Sequence, residues 1–278
     1  ADCFAGTSTG GLIACGLTAP GEDGKPRFTT DEVVKIYQTL GPKVFNRSFW
    51  HKVKTVWGLL GPKFPLDGLS EVTGEKFGDT QLNECLTQVV VATYDLVTRK
   101  PVVFDSENPE LNNISVKDVC MGTASVPTVF PSVKSGLYNL IDGGIFAVSP
   151  ALCALAICKE KYPDEPLMVI SIGNGDYNEV LPHDKTSGWG LLQWGATAVD
   201  VILDGIADGV DQQTRALCTE AGGSYYRLQF KIPKELSAMD NPSEENVSGL
   251  RNKTLEWLEE NDELINEICK KLILHSPK

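Results

Sequence analysis

The first residue with clear chemical potential is Ser8, which stands between Gly6 and Gly10 in a Gly-x-Ser-x-Gly pattern. A run that favours a strand, Asp2 to Ala5, precedes the pattern, and a run that favours a helix, Gly10 to Leu17, follows it. The two glycines permit a sharp turn without a Cβ clash, which places the serine at a helix N-terminus. Free N–H groups and the helix dipole stabilise negative charge there, so the spacing fits a serine nucleophile. Taken alone, the pattern fits a structural Gly-Ser turn equally well.

A second such residue is Asp142, which begins an Asp-Gly-Gly sequence directly after the strand candidate Tyr138 to Ile141. Gly143 and Gly144 remove side-chain bulk around the carboxylate, so it can approach a serine hydroxyl closely. In an apolar site the basicity of a carboxylate rises, which suits a general base. Taken alone, Asp-Gly-Gly more often marks a turn in which Asp caps and Gly supplies a positive φ.

A histidine-dependent triad is the alternative to a two-residue site. The chain has three histidines, His51, His183 and His275. The Ser, Asp, His order of α/β-hydrolases requires one of the last two. His183 lies in a polar stretch and His275 is three residues from the end of the sequence, so we expect both to be exposed and uninvolved in catalysis.

Three motifs occur in the order that is typical of patatin-like phospholipases: Gly-Thr-Ser-Thr-Gly-Gly around Ser8, the segment 122–131, and the Asp-Gly-Gly at Asp142. The chain resembles that family from its first residue to about Leu274. The resemblance implies an α/β protein with a three-layer α/β/α fold and a mostly parallel central sheet. It also implies that Ser8 attacks an ester carbonyl and that Asp142 accepts the proton directly, with no metal and no organic cofactor.

The resemblance implies a lipid acyl hydrolase of the phospholipase A or lysophospholipase type, whose substrate is a phospholipid or lysophospholipid. The family carries a glycine-rich oxyanion segment before the elbow, which is the Gly-x-Ser-x-Gly turn that holds the nucleophile. This sequence begins after that point, so we expect the N-terminal strand and oxyanion loop to be missing upstream of residue 1. The amide of Thr9 supplies one oxyanion donor by its position after the nucleophile.

Two other functions stay open. A catalytically silent module, or one that a ligand or partner activates, fits the missing oxyanion segment, because the loss of one donor can lower a rate by about 10²- to 10³-fold. A carboxylesterase or an acyltransferase would use the same nucleophile on a different acyl group.

Strand and helix candidates alternate along the chain, which predicts a layered α/β architecture. Strands are expected at Asp2–Ala5, Gln88–Tyr94, Val102–Phe104, Tyr138–Ile141, Leu167–Ile172 and Tyr225–Phe230. Helices are expected at Gly10–Leu17, Thr30–Leu40, Thr80–Leu86, Val116–Gly122, Pro150–Lys161, Leu191–Ala221 and Ser243–Leu274. With 42% hydrophobic residues, the chain can form one large domain or two small ones, and we expect a single domain over residues 1–278.

Residues 41–68 differ in composition from their surroundings. Five basic residues stand against one acidic residue, although the whole chain has a net charge of −12. The basic residues are Lys43, Arg47, Lys52, Lys54 and Lys63, and the interleaved aromatic residues are Phe45, Phe49, Trp50, Trp57 and Phe64. This pattern fits a lid or insertion that packs on the domain, and it also fits a surface in transient contact with an anionic membrane.

Four carboxylates fall on one stripe of the expected helix Leu191–Ala221. They are Asp200, Asp204, Asp208 and Asp211. Carboxylates one helical turn apart rarely converge on one ion without loop oxygens, so the stripe favours a solvated acidic face over a divalent-cation site.

Composition excludes other partners and locations. The 25 basic residues against 37 acidic ones include no basic run, which argues against binding of nucleic acid. The richest apolar stretch, Phe146 to Cys158, is shorter than the ~20 residues that a bilayer-spanning helix needs. Eight cysteines without a Cys-x-x-Cys pair are typical of reduced thiols, whereas four Asn-x-Ser/Thr sequons point towards secretion. We expect a cytoplasmic protein that contacts membranes at most peripherally.

Overall fold

The computed structural model describes residues 1–46, 48, 51, 55, 61–177 and 179–274. The strands are β1 (Cys3–Thr7), β2 (Gln88–Asp95), β3 (Lys100–Asp105), β4 (Val133–Ser135), β5 (Tyr138–Asp142), β6 (Met168–Ile172) and β7 (Ser224–Leu228). The longer helices are α1 (Thr9–Thr18), α2 (Thr30–Val44), α3 (Asp67–Phe77), α4 (Val116–Thr123), α5 (Ala151–Lys161), α6 (Leu191–Glu220), α7 (Glu244–Glu260) and α8 (Asp262–Leu274). A single helical turn lies at His183–Thr186, and 3₁₀ turns lie at Leu82–Glu84, Gly143–Ile145 and Lys234–Leu236.

The first sheet is built around β2. β1 pairs with it in parallel, and both β3 and β5 pair with it in antiparallel orientation. β4 extends the sheet as an antiparallel partner of β5, and β6 and β7 form a second, parallel pair. The α/β class predicted from the sequence is therefore confirmed. Among the described strands, two pairings are parallel and three are antiparallel, because β3 and β5 each return beside β2.

Helices cover both faces of the first sheet. Side chains along a strand alternate between its faces. Phe4 of β1 packs into the core that α1 and α4 share, whereas the Thr7 hydroxyl donates to the Ala147 carbonyl at 2.7 Å. The Cys3 thiol, on the same face as Thr7, contacts the Cys158 thiol on α5. α1 and α4 thus lie on one face and α5 on the other, which forms the three layers.

The core is centred on β2. The residues from Val89 to Thr93 are all 0% exposed, so this strand is buried on both faces. Such strands are rich in β-branched residues and have no alternation of polar and apolar residues, which explains the uninterrupted Val-Val-Val. Because β2 is fixed at the centre of the core, its pairing with β1 and β5 determines where those two strands end.

The expected helix Thr80–Leu86 is wrong in type. The segment contains only the 3₁₀ turn Leu82–Glu84, because its backbone bonds outward: the Leu82 amide donates to the Ile114 carbonyl at 2.9 Å, and the Val116 amide donates to the Thr80 carbonyl at 2.9 Å. These bonds replace the intrahelical pattern that a full helix requires.

The expected helix Ser243–Leu274 begins as predicted, since the Ser243 side chain accepts from the Asn246 amide at 3.3 Å. It is divided, however, at Asn261. That residue leaves helical geometry with φ −116°, and its side-chain amide donates to the Trp257 carbonyl at 2.8 Å, so it ends α7. The four predicted carboxylates of the stripe all fall within α6.

The predicted lid, residues 41–68, is only partly described. α2 extends to Val44, α3 begins at Asp67, and Phe45 and Phe64 form an aromatic cluster with Phe130 at centroid distances from 5.5 to 6.0 Å. Of the residues on which the interfacial alternative rests, Arg47, Phe49, Trp50, Lys52, Lys54 and Trp57 lie outside the described part.

Both described lysines of this segment are paired with carboxylates of the protein. Lys43 contacts Glu71 at 2.7 Å and Glu75 at 3.1 Å, and Lys63 pairs with Asp240. Described residues of the segment therefore pack on the protein. In the part of the chain that the structure describes, no helix combines the length and apolar character that crossing a bilayer requires.

Asp95 is the last residue of β2, and its side chain stabilises the hairpin that follows this strand. Its carboxylate is buried, which opposes ionisation, but it accepts from the amides of Asn139, Thr98 and Val97 and from the Thr98 hydroxyl at 2.7–3.1 Å. These bonds lower the pKa of Asp95 to about 2.

Asp95→Asn should destabilise the protein by about 1–3 kcal/mol at pH 7, because an amide cannot accept all four bonds. The stabilisation by Asp95 is full above the unfolded pKa of about 3.9 and is lost as the pH falls towards 2. Urea unfolding of both proteins at pH 7 and pH 3 should show a smaller difference at pH 3. An equal difference at both values would contradict this role.

Candidate active site

Ser8 occupies a strained turn between β1 and α1. Its φ of 55° and ψ of −127° lie in a region that L-residues rarely adopt. Such strain costs about 1–3 kcal/mol and persists only where the surrounding structure enforces it. Ser8 is the N-cap residue of α1, yet its side chain makes no capping bond. The hydroxyl is therefore not used by the helix.

The elbow requires one glycine of the Gly-x-Ser-x-Gly pattern for steric reasons and not the other. A Cβ on Gly6 would lie 2.1 Å from the Gly10 carbonyl oxygen, so no other residue fits there. A Cβ on Gly10 would meet nothing within 4 Å. The expectation that both glycines avoid a Cβ clash is thus wrong for Gly10, because a side chain there would extend into open space.

The N-terminus of α1 lies directly behind Ser8. The first amides of a helix, here those of Thr9 and Gly10, have no intrahelical acceptor and carry the positive end of the helix dipole. The Tyr37 hydroxyl of α2 donates to the Thr9 carbonyl at 3.0 Å and ties the two helices together at this point. The turn thus presents N–H donors where negative charge would develop on a substrate oxygen.

Asp142 is the last residue of β5 and is 4% exposed. Its Oδ1 accepts from the Gly144 amide at 2.7 Å. Burial raises the pKa of Asp142 to about 6, against the opposing effects of the Ser8 side chain and the Gly144 amide. Within the described chain, Oδ2 is buried without a partner of ordinary hydrogen-bond geometry. The Ser8 hydroxyl is therefore close enough to affect Asp142 without forming a well-aligned bond, as is common in free enzymes.

The Asp-Gly-Gly sequence fits the crowded end of β5. A Cβ on Gly143 would lie 2.4 Å from the Ala92 carbonyl oxygen, and one on Gly144 would lie 3.1 Å from Oδ1 of Asp142. The absence of side chains lets the 3₁₀ turn Gly143–Ile145 fold back over the carboxylate. Both glycines are thus explained by close contacts, and neither has a positive φ.

The sheet register brings Ser8 and Asp142 together. Thr7, the last residue of β1, pairs with Ala92, and Asp142 pairs with the next residue of β2, Thr93. β1 and β5 run in opposite directions along β2, so their carboxyl ends meet there. The Asp142 amide also donates to the Ser125 carbonyl at 3.0 Å.

Thr123 is a residue of this site that the sequence analysis did not single out. It is 0% exposed, and its hydroxyl accepts from the Ser8 amide at 2.8 Å and donates to the Ala92 carbonyl at 2.6 Å. The segment 122–131 was noted only as part of the family resemblance. A threonine at the end of an apolar helix carries no local signal for such a contact.

The histidines take no part in this arrangement as far as the chain is described. His51 Nε2 lies 3.1 Å from the Pro62 carbonyl, His183 is exposed, and His275 lies outside the described residues. In the described ranges, no three or more His, Cys, Asp or Glu side chains are grouped so that they could hold a metal ion. The acidic stripe of α6 is included in that result.

The fold and the turn define the chain as an α/β protein with a strand–turn–helix elbow of the Gly-x-Ser-x-Gly type. A family model described as Patatin-like phospholipase matches residues 1–155. Patatin-like protein 2 of Oryza sativa subsp. japonica is 31% identical over 289 residues, covering 90% of this chain and 71% of that protein. Patatin-like protein 4 of Arabidopsis thaliana is 30% identical over 285 residues with the same coverage of 90% and 71%. The chain belongs to the patatin-like phospholipase family.

The similarity extends to a protein whose name describes it as probably inactive. Probable inactive patatin-3-Kuras 1 of Solanum tuberosum is 30% identical over 221 residues, which cover 69% of this chain and 57% of that protein. Membership in the family therefore supports lipid acyl hydrolysis in general, whereas activity has to be argued from the site of this chain.

Exchanging each glycine of the elbow for alanine should separate their roles. Gly6→Ala should destabilise the protein by about 1–3 kcal/mol or more, because the new methyl group overlaps the backbone at Gly10. Gly10→Ala should be neutral or stabilise by up to about 1 kcal/mol, since alanine favours a helix. Urea unfolding of both variants measures the difference. Equal stabilities would contradict the described turn.

Proposed function

We propose that the chain is a lipid acyl hydrolase in which Ser8 is the nucleophile and Asp142 is its general base, with no intervening histidine. The observation that carries this proposal is the buried Asp142 carboxylate, whose Oδ2 has no ordinary partner among the described residues and which interacts with the Ser8 side chain. A buried, incompletely satisfied carboxylate is costly for stability and therefore points to a role in chemistry.

The environment of Asp142 suits proton transfer. The Gly144 amide holds Oδ1, which leaves Oδ2 free to accept the serine proton. Burial raises the pKa of the carboxyl group to about 6, so it is mostly ionised at neutral pH and is a stronger base than an exposed aspartate. Ser8 at the N-terminus of α1 is placed where a developing oxyanion receives N–H donors.

The reaction balances with these two side chains, an acyl ester and water. Ser8 Oγ forms a bond to the ester carbonyl carbon while its proton passes to Asp142. The carbonyl π electrons move onto oxygen near the Thr9 amide. When the tetrahedral intermediate collapses, the bond to the alcohol breaks and Asp142 returns the proton to that alcohol. Water then attacks the acyl-serine by the same route and releases the fatty acid.

The proposed substrates are phospholipids or lysophospholipids, and the proposed mechanism uses neither metal nor organic cofactor. The family description supports the substrate class. All eight cysteines are free thiols, which supports a reducing, cytoplasmic location with at most transient contact with membranes.

A catalytically silent member is the second candidate. The observation in its favour is the 30% identity to a protein named as probably inactive. A silent module would keep the fold without turnover, so activity measurements separate the two functions directly.

Ser8→Ala should abolish release of fatty acid from lysophosphatidylcholine, because no other nucleophile replaces the hydroxyl. Asp142→Asn should lower kcat by about 10²- to 10⁴-fold, since the amide cannot accept the proton. Fatty-acid release measures both effects, and Asp95→Asn is a control outside the elbow. Turnover that persists in Ser8→Ala would contradict the proposed nucleophile, and no turnover by the unaltered protein would favour the silent module.

The pH dependence should report the ionisation of Asp142. Because only the carboxylate accepts the proton, kcat/KM should fall as the pH drops below about 6 and reach a plateau above it. Rates on a soluble lysophospholipid between pH 4.5 and 8 test this. A rate that is constant from pH 5 to pH 7 would mean that this group is not the base.

A further inference from the structure

Thr123 joins the turn that carries Ser8 to the central strand. Its hydroxyl accepts from the Ser8 amide at 2.8 Å, and because a hydroxyl has one proton, that proton is committed to the Ala92 carbonyl at 2.6 Å. The direction of both bonds is fixed, since an amide can only donate and a carbonyl can only accept. These two contacts use the only proton of the buried hydroxyl and one of its two acceptor sites.

The amide of Ser8 needs such a partner. The pairing of β1 with β2 ends at Thr7 and Ala92, so Ser8 lies one residue beyond the described ladder. Its φ of 55° turns the chain away from the sheet. A buried amide left unpaired at that point would cost about 1–3 kcal/mol. Thr123 thus satisfies the donor that the turn exposes and favours the strained conformation over relaxed ones.

The methyl group of Thr123 is held as firmly as its hydroxyl. A Cβ built on Gly11 would lie 2.8 Å from Thr123 Cγ2, so this methyl group already packs against the first turn of α1. β-branched side chains have a restricted χ1, and contact on the methyl side fixes the rotamer further. The hydroxyl therefore points at Ser8 with little freedom.

The Ala92 carbonyl also links Thr123 to the turn that follows Asp142, the proposed base. Ala92 O, which accepts from Thr123, is the atom that Gly143 approaches so closely that a Cβ there would lie 2.4 Å away. Gly143 follows Asp142 directly. A single backbone carbonyl of β2 is thus in contact with the residue that holds the nucleophile and with the turn that holds the carboxylate.

We propose that Thr123 is a positioning residue: its hydroxyl fixes the Ser8 backbone, and with it the Ser8 hydroxyl, relative to the carboxylate of Asp142. This role rests on the proposed function, in which Ser8 and Asp142 react. Thr123 does not touch the substrate or the transferred proton. Its effect should therefore appear in the rate of acyl transfer and not in substrate binding.

The test compares Thr123→Val, which keeps the shape and removes the hydroxyl, with Thr123→Ser, which keeps the hydroxyl. Thr123→Val should lower kcat on lysophosphatidylcholine by about 10- to 100-fold, because small misplacements of reacting groups have effects of this size. KM should stay within about two-fold. Thr123→Ser should keep kcat within about five-fold of the unaltered protein, since its hydroxyl can form both bonds.

Thr18→Val is the matched control. Thr18 is also a buried threonine at the end of a helix, with 1% exposure, and its hydroxyl donates to the Ala14 carbonyl at 2.8 Å. It lies at the opposite end of α1 from Ser8. Thr18→Val should lower the unfolding midpoint in urea and leave kcat unchanged. If Thr123→Val does not fold, Thr123→Ala takes its place in the comparison with Thr123→Ser.

The outcomes separate this proposal from the function on which it depends. Turnover that survives in Ser8→Ala overturns the proposed nucleophile. If Ser8→Ala is inactive but the variant without the Thr123 hydroxyl keeps kcat within about three-fold, the positioning role alone is overturned. An equal loss in Thr123→Ser or an equal loss in Thr18→Val would also overturn it.

Discussion

The site depends on two strands that end head to head against a third. β1 and β5 run in opposite directions beside β2, and their last residues pair with Ala92 and Thr93, which are consecutive. Residues of adjacent strands lie about 5 Å apart, so whatever follows β1 and whatever ends β5 must share a small space. Glycine at position 143 follows from this crowding, because a Cβ there would overlap the Ala92 carbonyl of β2. Glycine at position 6 follows from the tightness of the turn itself, where a Cβ would overlap the backbone of Gly10.

Asp95 and Asp142 lie in the same sheet but differ in role because their environments differ. Asp95 pairs with Leu140, two residues from the pairing of Thr93 with Asp142. Both carboxyl groups are buried, but Asp95 accepts four hydrogen bonds and has a pKa of about 2, whereas Asp142 accepts one ordinary bond and has a pKa of about 6. Burial opposes ionisation of both groups, but the four hydrogen bonds of Asp95 outweigh it, whereas the one ordinary bond of Asp142 does not. The balance between burial and hydrogen-bond donors therefore separates a carboxylate that stabilises the hairpin from one that is suited to accept a proton.

Local patterns in the sequence predicted the parts of the molecule that depend on local chemistry. All six expected strands are present, and the Gly-x-Ser-x-Gly pattern indicated the turn at Ser8 because that geometry needs a glycine at position 6. The contact between Ser8 and Thr123 spans 115 positions and depends on how α4 lies against β1, so no short pattern could reveal it. The helix break at Asn261 was missed because the apolar spacing continues through it. Helix α3, nearly all of which follows the segment 41–68, was missed, although its buried residues Leu69, Val72, Thr73 and Phe77 have helical spacing.

The proposed function requires that Asp142, at the end of β5, activates Ser8, which follows the end of β1. A fluorophosphonate reacts with an activated serine, and mass spectrometry of the digested protein identifies the modified residue. We expect the unaltered protein to form one adduct, on the peptide that contains Ser8. Asp142→Asn should stay folded and form no adduct. An adduct on another serine, or one on Ser8 that forms as fast without the Asp142 carboxylate, would contradict this proposal.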